Sequence, residues 1–144
     1  HRWEGVAGLI RLRKSFGKGR KMPAVTNKYS KGPHAAFGLE NQAFVALHRG
    51  YNWDTGLGSN KTWNLTGLQT GMPPGRYCDL ARESRPVPEA TGGPQVLPCY
   101  WVVTVGPGGN ISKGFVTSGY TMAVHVDYLA KPEPGAASEA LLRS

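Results

Sequence analysis

The stretch Leu65-Thr66-Gly67-Leu68-Gln69-Thr70-Gly71-Met72-Pro73-Pro74-Gly75-Arg76-Tyr77-Cys78-Asp79 constrains the fold of this chain more than any other. Two extended arms flank a Pro/Gly turn. Proline presets φ and glycine permits the reversal, so the stretch reads as a β-hairpin. Strict alternation in the first arm would put Asn64, Thr66 and Leu68 on one face and Leu65, Gly67 and Gln69 on the other, dividing the leucines between core and water. A β-bulge at Gly67 removes the conflict. One extra residue flips every following side chain, and glycine reaches positive φ without steric cost. Leu65 and Leu68 then share the core face, while Asn64 and Thr66 face solvent.

The same punctuation runs through the chain, with 20 Gly and 11 Pro in 144 residues, which suits an all-β fold with many turns. Alternating or apolar segments predict strands near 35–39, 42–48, 62–70, 75–81, 96–105, 111–117 and 120–128. That many half-apolar strands cannot leave both faces wet, so an antiparallel sandwich of about seven to eight strands is expected. Trp3, Val6, Ala7 and Ile10 at i, i+3, i+4 and i+7 predict one N-terminal helix. The expected organisation is a helix over 1–14, an irregular basic linker over 15–34, the sandwich over 35–130 and a flexible tail over 131–144. No apolar run is long enough to span a membrane. No signal sequence is apparent, so a secreted form would have its leader upstream or already removed.

Residues 1–31 hold nine basic residues and one acid, and the other 113 hold eight of each, so the net charge of +8 sits on the N-terminal arm. At its centre are Arg11, Arg13, Lys14, Lys18, Arg20 and Lys21. Such an arm is either a solvated linker or a handle for an acidic protein or polysaccharide. No nucleic-acid motif accompanies it, so nucleic acid is not the expected partner. Cys78 and Cys99 form an even pair beside three glycosylation sequons, at Asn60, Asn64 and Asn110. Together these favour a disulfide and a secreted, extracellular setting; the alternative is two buried thiols. Scattered histidines and the absence of CxxC speak against zinc. Tyr51 and Trp53, in a loop, are candidate sugar contacts, with packing as the other reading; of Tyr100 and Trp101, one is expected to face inward. No pair of acids, Asp54 with Asp79 included, has glycosidase context.

The hairpin resembles one family. In the C-terminal β domain of animal-type α-amylases (glycoside hydrolases) the string Leu-Gln-Thr-Gly-Leu-Pro-x-Gly-x-Tyr-Cys-Asp stands here, and this chain differs only in having Met72 for the leucine. In order around it, His1-Arg2-Trp3 with Val6, Ile10 and Arg13 is similar to the last barrel helix. Ala36-Phe37-Gly38 and Asn41 to Leu47 are similar to the strand pair that follows. Ala123-Val124-His125-Val126 is similar to the closing strand. Residues 1 to about 130 are covered. The chain departs from the family at Gln42 and Ala43, in a longer Cys78–Cys99 loop, and in the additional Gly67.

The resemblance implies a Greek-key β-sandwich. In the family, catalysis belongs to an upstream (β/α)8 barrel carrying an Asp nucleophile, a Glu acid/base and a third Asp, and calcium and chloride belong there too. No catalytic residue, metal or cofactor is therefore carried over to this chain. The expected function is that of an accessory, non-catalytic domain of a starch- or glycogen-hydrolysing 1,4-α-glucan endohydrolase, with Trp3, Val6 and Ile10 docking on the barrel or another chain. A recruited docking module and a carbohydrate-binding module are the alternatives.

Overall fold

The computed structural model describes Ile10, Leu12, Arg13, residues 23–82 and residues 94–132. Ile10, Leu12 and Arg13 have helical backbone. The strands are β1 Val25–Lys31, β2 His34–Leu39, β3 Ala43–His48, β4 Tyr51–Asn52, β5 Leu57–Gly58, β6 Trp63–Asn64, β7 Gly75–Cys78, β8 Gln95–Leu97, β9 Val102–Val105, β10 Ile111–Lys113, β11 Phe115–Val116, β12 Thr121–His125 and β13 Tyr128–Ala130. They form a four-stranded sheet in the order β1-β2-β3-β12 and a five-stranded sheet in the order β10-β9-β7-β13-β8, with β6–β11 and β4–β5 as small ribbons. The all-β, sandwich-like architecture agrees with the sequence. One pair departs from the antiparallel expectation: β8 runs parallel to β13, with Val96 opposite Leu129.

The core follows from alternation. Phe44, Ala46, Met122 and Val124 point from the first sheet into one cluster with Tyr77, Val103, Val105 and Ile111 from the second. The alternate residues Ala43, Val45 and Ala123 are also buried, in a second cluster with Cys78, Leu80, Tyr128 and Leu12. The central strands are therefore covered on both faces, and Leu12 contributes to the second cover. The sandwich thus takes up a residue outside the expected stripe of Trp3, Val6 and Ile10. Leu12 is 4% exposed while Ile10, two positions away and so on the opposite side of a helix, is 51% exposed.

The linker expectation also needs correction: 25–31 is a strand, paired antiparallel with β2. Lys28 and Lys31 sit on a sheet edge, where charge discourages pairing with other chains, and so they hid the strand pattern. Several expected strands are broken in two, at Pro98–Trp101, at Gly114 and at Val126–Asp127.

At Gly67 the expected bulge is present. The Leu65 N–H donates to Gly114 O at 3.0 Å, the Gly67 N–H donates to Ile111 O at 2.8 Å, and the Ile111 N–H returns to Leu68 O at 2.9 Å. Two residues, Gly67 and Leu68, thus oppose one. Gly67 has φ 95°. Leu65 is buried and Leu68 packs on the core, while Asn64 and Thr66 are exposed. A Cβ at Gly67 would meet nothing within 4 Å, so Gly67→Ala tests backbone conformation alone. The expected result is a loss of about 1–2 kcal/mol in urea unfolding, with an unchanged m-value. An unaffected midpoint would show that the reset does not depend on glycine.

The rest of the motif locks this hairpin to the turn Pro107–Gly109. The Thr70 N–H and hydroxyl both donate to Gly109 O, at 2.8 and 2.7 Å, and Gln69 Nε2 donates to Gly108 O at 2.8 Å. Gly109 has φ 88°, and a Cβ there would run into the Gln69 amide. Across the other turn, the Tyr77 hydroxyl donates to Pro73 O at 2.6 Å.

Candidate functional site

β7 delivers Cys78 to the disulfide with Cys99, with a Cα–Cα separation of 5.6 Å. The next residue, Asp79, leaves the sheet and is 2% exposed. Its Oδ1 accepts the N–H groups of Ala123 and Ala81, at 3.1 and 3.2 Å, and Arg82 Nε lies 3.6 Å from Oδ2. Burial pushes the carboxyl up to about 7, against the opposing pull of the Ala123 N–H, Arg82 and the Ala81 N–H. Arg82 is fixed in turn. Its guanidinium donates to Thr117 Oγ1 at 3.1 Å and lies over the rings of Phe115 and Trp101, at 4.7 and 5.1 Å.

Those two rings form the floor of a groove of about 610 Å³. Trp101 and Phe115 meet edge to face at 6.1 Å, and Tyr100 lies 6.3 Å from Trp101. All three are exposed, Tyr100 by 75%, which corrects the expectation that one of Tyr100 and Trp101 faces inward. Tyr100 and Trp101 precede β9 and stand outside its alternation. Arg76 and Lys113 both register with Thr104, which sets a cross-strand row over β7, β9 and β10. Lys131 lines the same groove, and its carbonyl accepts Arg76 Nη1 at 2.8 Å. Among the described residues, no acidic side chain lines the groove.

No family model matches the chain. It is 29% identical over 130 residues to an α-amylase of the mite Acarus siro, covering 88% of this chain and 21% of that enzyme. The crystal structure of α-amylase I from Eisenia fetida matches at 26% identity and a TM-score of 0.52, over 81% of this chain and 20% of the enzyme. A variant of that enzyme in complex with maltohexaose matches at a TM-score of 0.53 and 26% identity, over 88% of this chain and 23% of its own. These relatives are α-amylases. The resemblance carried by the hairpin thus holds over most of the chain, in sequence and in fold. The chain spans about a fifth of the length of the relatives it matches.

The remaining sequence-named residues are dispersed around this amylase-like domain. Trp53 is 81% exposed at the end of the β4–β5 ribbon, edge-on to Tyr51 at 4.7 Å. Asn60, Asn64 and Asn110 are exposed. Asn64 Oδ1 accepts the Thr66 N–H at 3.0 Å within its own sequon. Of the basic arm, Arg13 is exposed, and Arg11, Lys14, Lys18, Arg20 and Lys21 lie outside the described residues, as do Trp3 and Val6. Asp54 is exposed while Asp79 is buried, so they present no matched pair. Among the described residues, no group of three His, Cys, Asp or Glu side chains is placed to hold a metal. No pattern within one segment of the sequence marks the groove or the Arg82 anchor beneath it. The one available signal was Arg82 at i+3 from the Asp79 of the hairpin motif.

Proposed function

We propose that this chain is the accessory, non-catalytic β domain of a secreted α-amylase that hydrolyses starch or glycogen. The observation that carries this reading is the match to about a fifth of each relative by nearly nine-tenths of the chain. Its one raised carboxyl among the described acids, Asp79, is sealed by protein donors and closed to substrate. In this reading, acid/base chemistry, calcium and chloride belong to the catalytic part. Ile10, half exposed, is the described member of the apolar stripe that docks there. The exposed sequons carry glycans.

The purified 144-residue chain is expected to release no reducing sugar from starch. Supplied with the catalytic part of a mite α-amylase, it is expected to bind it, and Ile10→Asp is expected to weaken that association at least about fivefold. Starch hydrolysis lost on mutating one of the chain's own acids would overturn the reading, as would failure to associate. Mass spectrometry after secretion from an animal cell reads the glycans directly. Bare Asn60, Asn64 and Asn110 would remove that element.

The 81% exposure of Trp53 favours a second role, stacking on a neutral α-glucan. Maltoheptaose is then expected to perturb the Trp53 indole signal, and Trp53→Ala to abolish the response. An unmoved indole signal refutes it.

A further inference from the structure

We propose that His48 is a proton-operated clasp: its neutral ring holds the ribbon that carries Tyr51 and Trp53 against the sandwich, and a second ring proton lets the ribbon go. The inference concerns how Trp53 is held, and rests neither on what Trp53 binds nor on the amylase reading. His48 ends β3 and is 3% exposed. Its Nδ1 accepts the Gly50 N–H at 3.1 Å, and its Nε2 lies 2.7 Å from Lys61 O. A backbone N–H can only donate and a carbonyl can only accept. Nδ1 therefore carries no proton, while Nε2 carries one and donates it. One neutral ring thus ties both ends of the segment 50–61. An imidazolium has protons on both nitrogens and cannot accept from Gly50, whose buried N–H would lose its partner.

The ribbon is otherwise lightly held. β4 and β5 pair with each other and join neither large sheet. Tyr51, Trp53 and Leu57 are exposed. The Ser59 N–H donates to Gly50 O at 3.3 Å, which closes the ribbon on itself, and Ser118 Oγ donates to Ser59 O at 2.8 Å as a second outward tie. The chain is fixed as far as Arg49, whose N–H donates to Pro33 O at 2.9 Å, and it turns at Gly50 with φ 83°. A segment with exposed apolar side chains and few outward hydrogen bonds opens at small free-energy cost. The titratable neighbours come from three elements. The His34 ring, from β2, meets His48 edge to face at 4.6 Å, and Arg49 and Tyr120 line the same hollow. Lys31, opposite His34 in β1, is exposed, as are Lys61 and Asp54 of the segment itself. Burial and the neighbouring His48 hold His34 below the ordinary histidine value. No bond of the clasp uses His34, so its titration is a separate event.

The test is NMR of the full chain between about pH 7.5 and about pH 4.5. At the upper end His48 is expected to show a bare Nδ1 and a protonated Nε2. On acidification, the second ring proton is expected to arrive together with a loss of at least about tenfold in Gly50 amide protection and a sharper Trp53 indole signal. Signals of the buried Met122 and Val124 are expected to keep their places through that transition. Ser118→Ala, which removes the second tie, is expected to raise the pH of release by about half a unit, because a weaker held state gives way at a lower proton concentration. His48→Gln, which offers Gly50 no ring acceptor, is expected to leave the ribbon released at every pH. The proposal is overturned if Nδ1 holds the proton at neutral pH, or if Gly50 stays protected once the ring has gained its second proton. It is also overturned if release follows the His34 titration, if Ser118→Ala leaves the midpoint in place, or if the core signals are lost in the same transition. Should His48→Gln fail to fold, the wild-type titration and Ser118→Ala decide the matter alone.

Discussion

Replacing Cys78 and Cys99 together by alanine is expected to lower the stability of the chain by about 3 kcal/mol, the chain-entropy value for a loop of this size. The two residues are 21 apart in sequence, and residues 83–93 lie in the loop they close. Cys78 is completely buried in the second core cluster, between the end of β7 and the Asp79 turn. The bridge therefore ties that turn to the strand that follows Tyr100 and Trp101. In a thermal melt the loss corresponds to roughly 10 °C. Reductant should lower the wild-type midpoint by a similar amount and leave the double variant unchanged. A double variant that melts with the wild type would show that the core alone holds these strands. Because Cys99 also lines the groove, the same variant is expected to loosen the position of Tyr100 and Trp101.

The contrast between β1 and the hairpin shows which parts of the fold are legible in the sequence. The hairpin was readable because its conflict had one solution. Leu65 and Leu68 are three apart, a strand alternates by two, and a glycine stands between them. The inverse holds for β1. It is an edge strand with a bulge between Thr26 and Tyr29, and its burial is never complete. Tyr29, stacked with Trp63 at 5.7 Å, is its main tie to the core. A strand of lysines, asparagine and serine with one aromatic anchor carries almost no periodic signal, so its charge dominated the reading.

The groove was illegible for another reason. Its residues come from β7, β9, β10, β11 and the ends of β8 and β13, and only the register brings Arg76 beside Lys113. Spacing within one segment cannot show a row that crosses three strands. Leu12 and Ile10 add a third case. The helical stripe was read from apolar spacing, yet the side chain the sandwich buries is the one off that stripe. Periodicity identifies an apolar face but not which neighbour will claim it.

The stability of the domain is expected to fall, not rise, as pH increases from about 4 to 7, through Asp79. Its carboxyl is raised from 3.8 to about 7, mainly by burial. Below the lower value both folded and unfolded chains hold the proton. Between the two values the folded chain keeps a proton that the unfolded chain has released, so each step upward in pH favours unfolding. Above the higher value the loss is complete, at most roughly 4 kcal/mol.

His125 and His34 act in the opposite sense. Burial lowers both, so their contribution is lost as pH falls below the ordinary histidine value. The comparison that isolates Asp79 is therefore wild type minus Asp79→Asn. Asparagine keeps an oxygen for the Ala81 and Ala123 N–H groups, both of which are accepted by the single atom Oδ1, and it cannot titrate. Its amide replaces the oxygen facing Arg82, as the protonated acid also largely does. Urea midpoints from pH 4.5 to 8 should converge at the acid end and separate toward neutrality, with Asp79→Asn the more stable. Asp79→Ala should instead cost about 1–3 kcal/mol at every pH, because two buried N–H groups lose their acceptor. Carbon NMR of the carboxyl gives the same answer without unfolding. A midpoint near 4, with wild-type stability rising relative to Asp79→Asn toward neutral pH, would mean that Arg82 and the two N–H groups outweigh burial. The node beneath the groove would then be a stabilising ion pair and not a strained one.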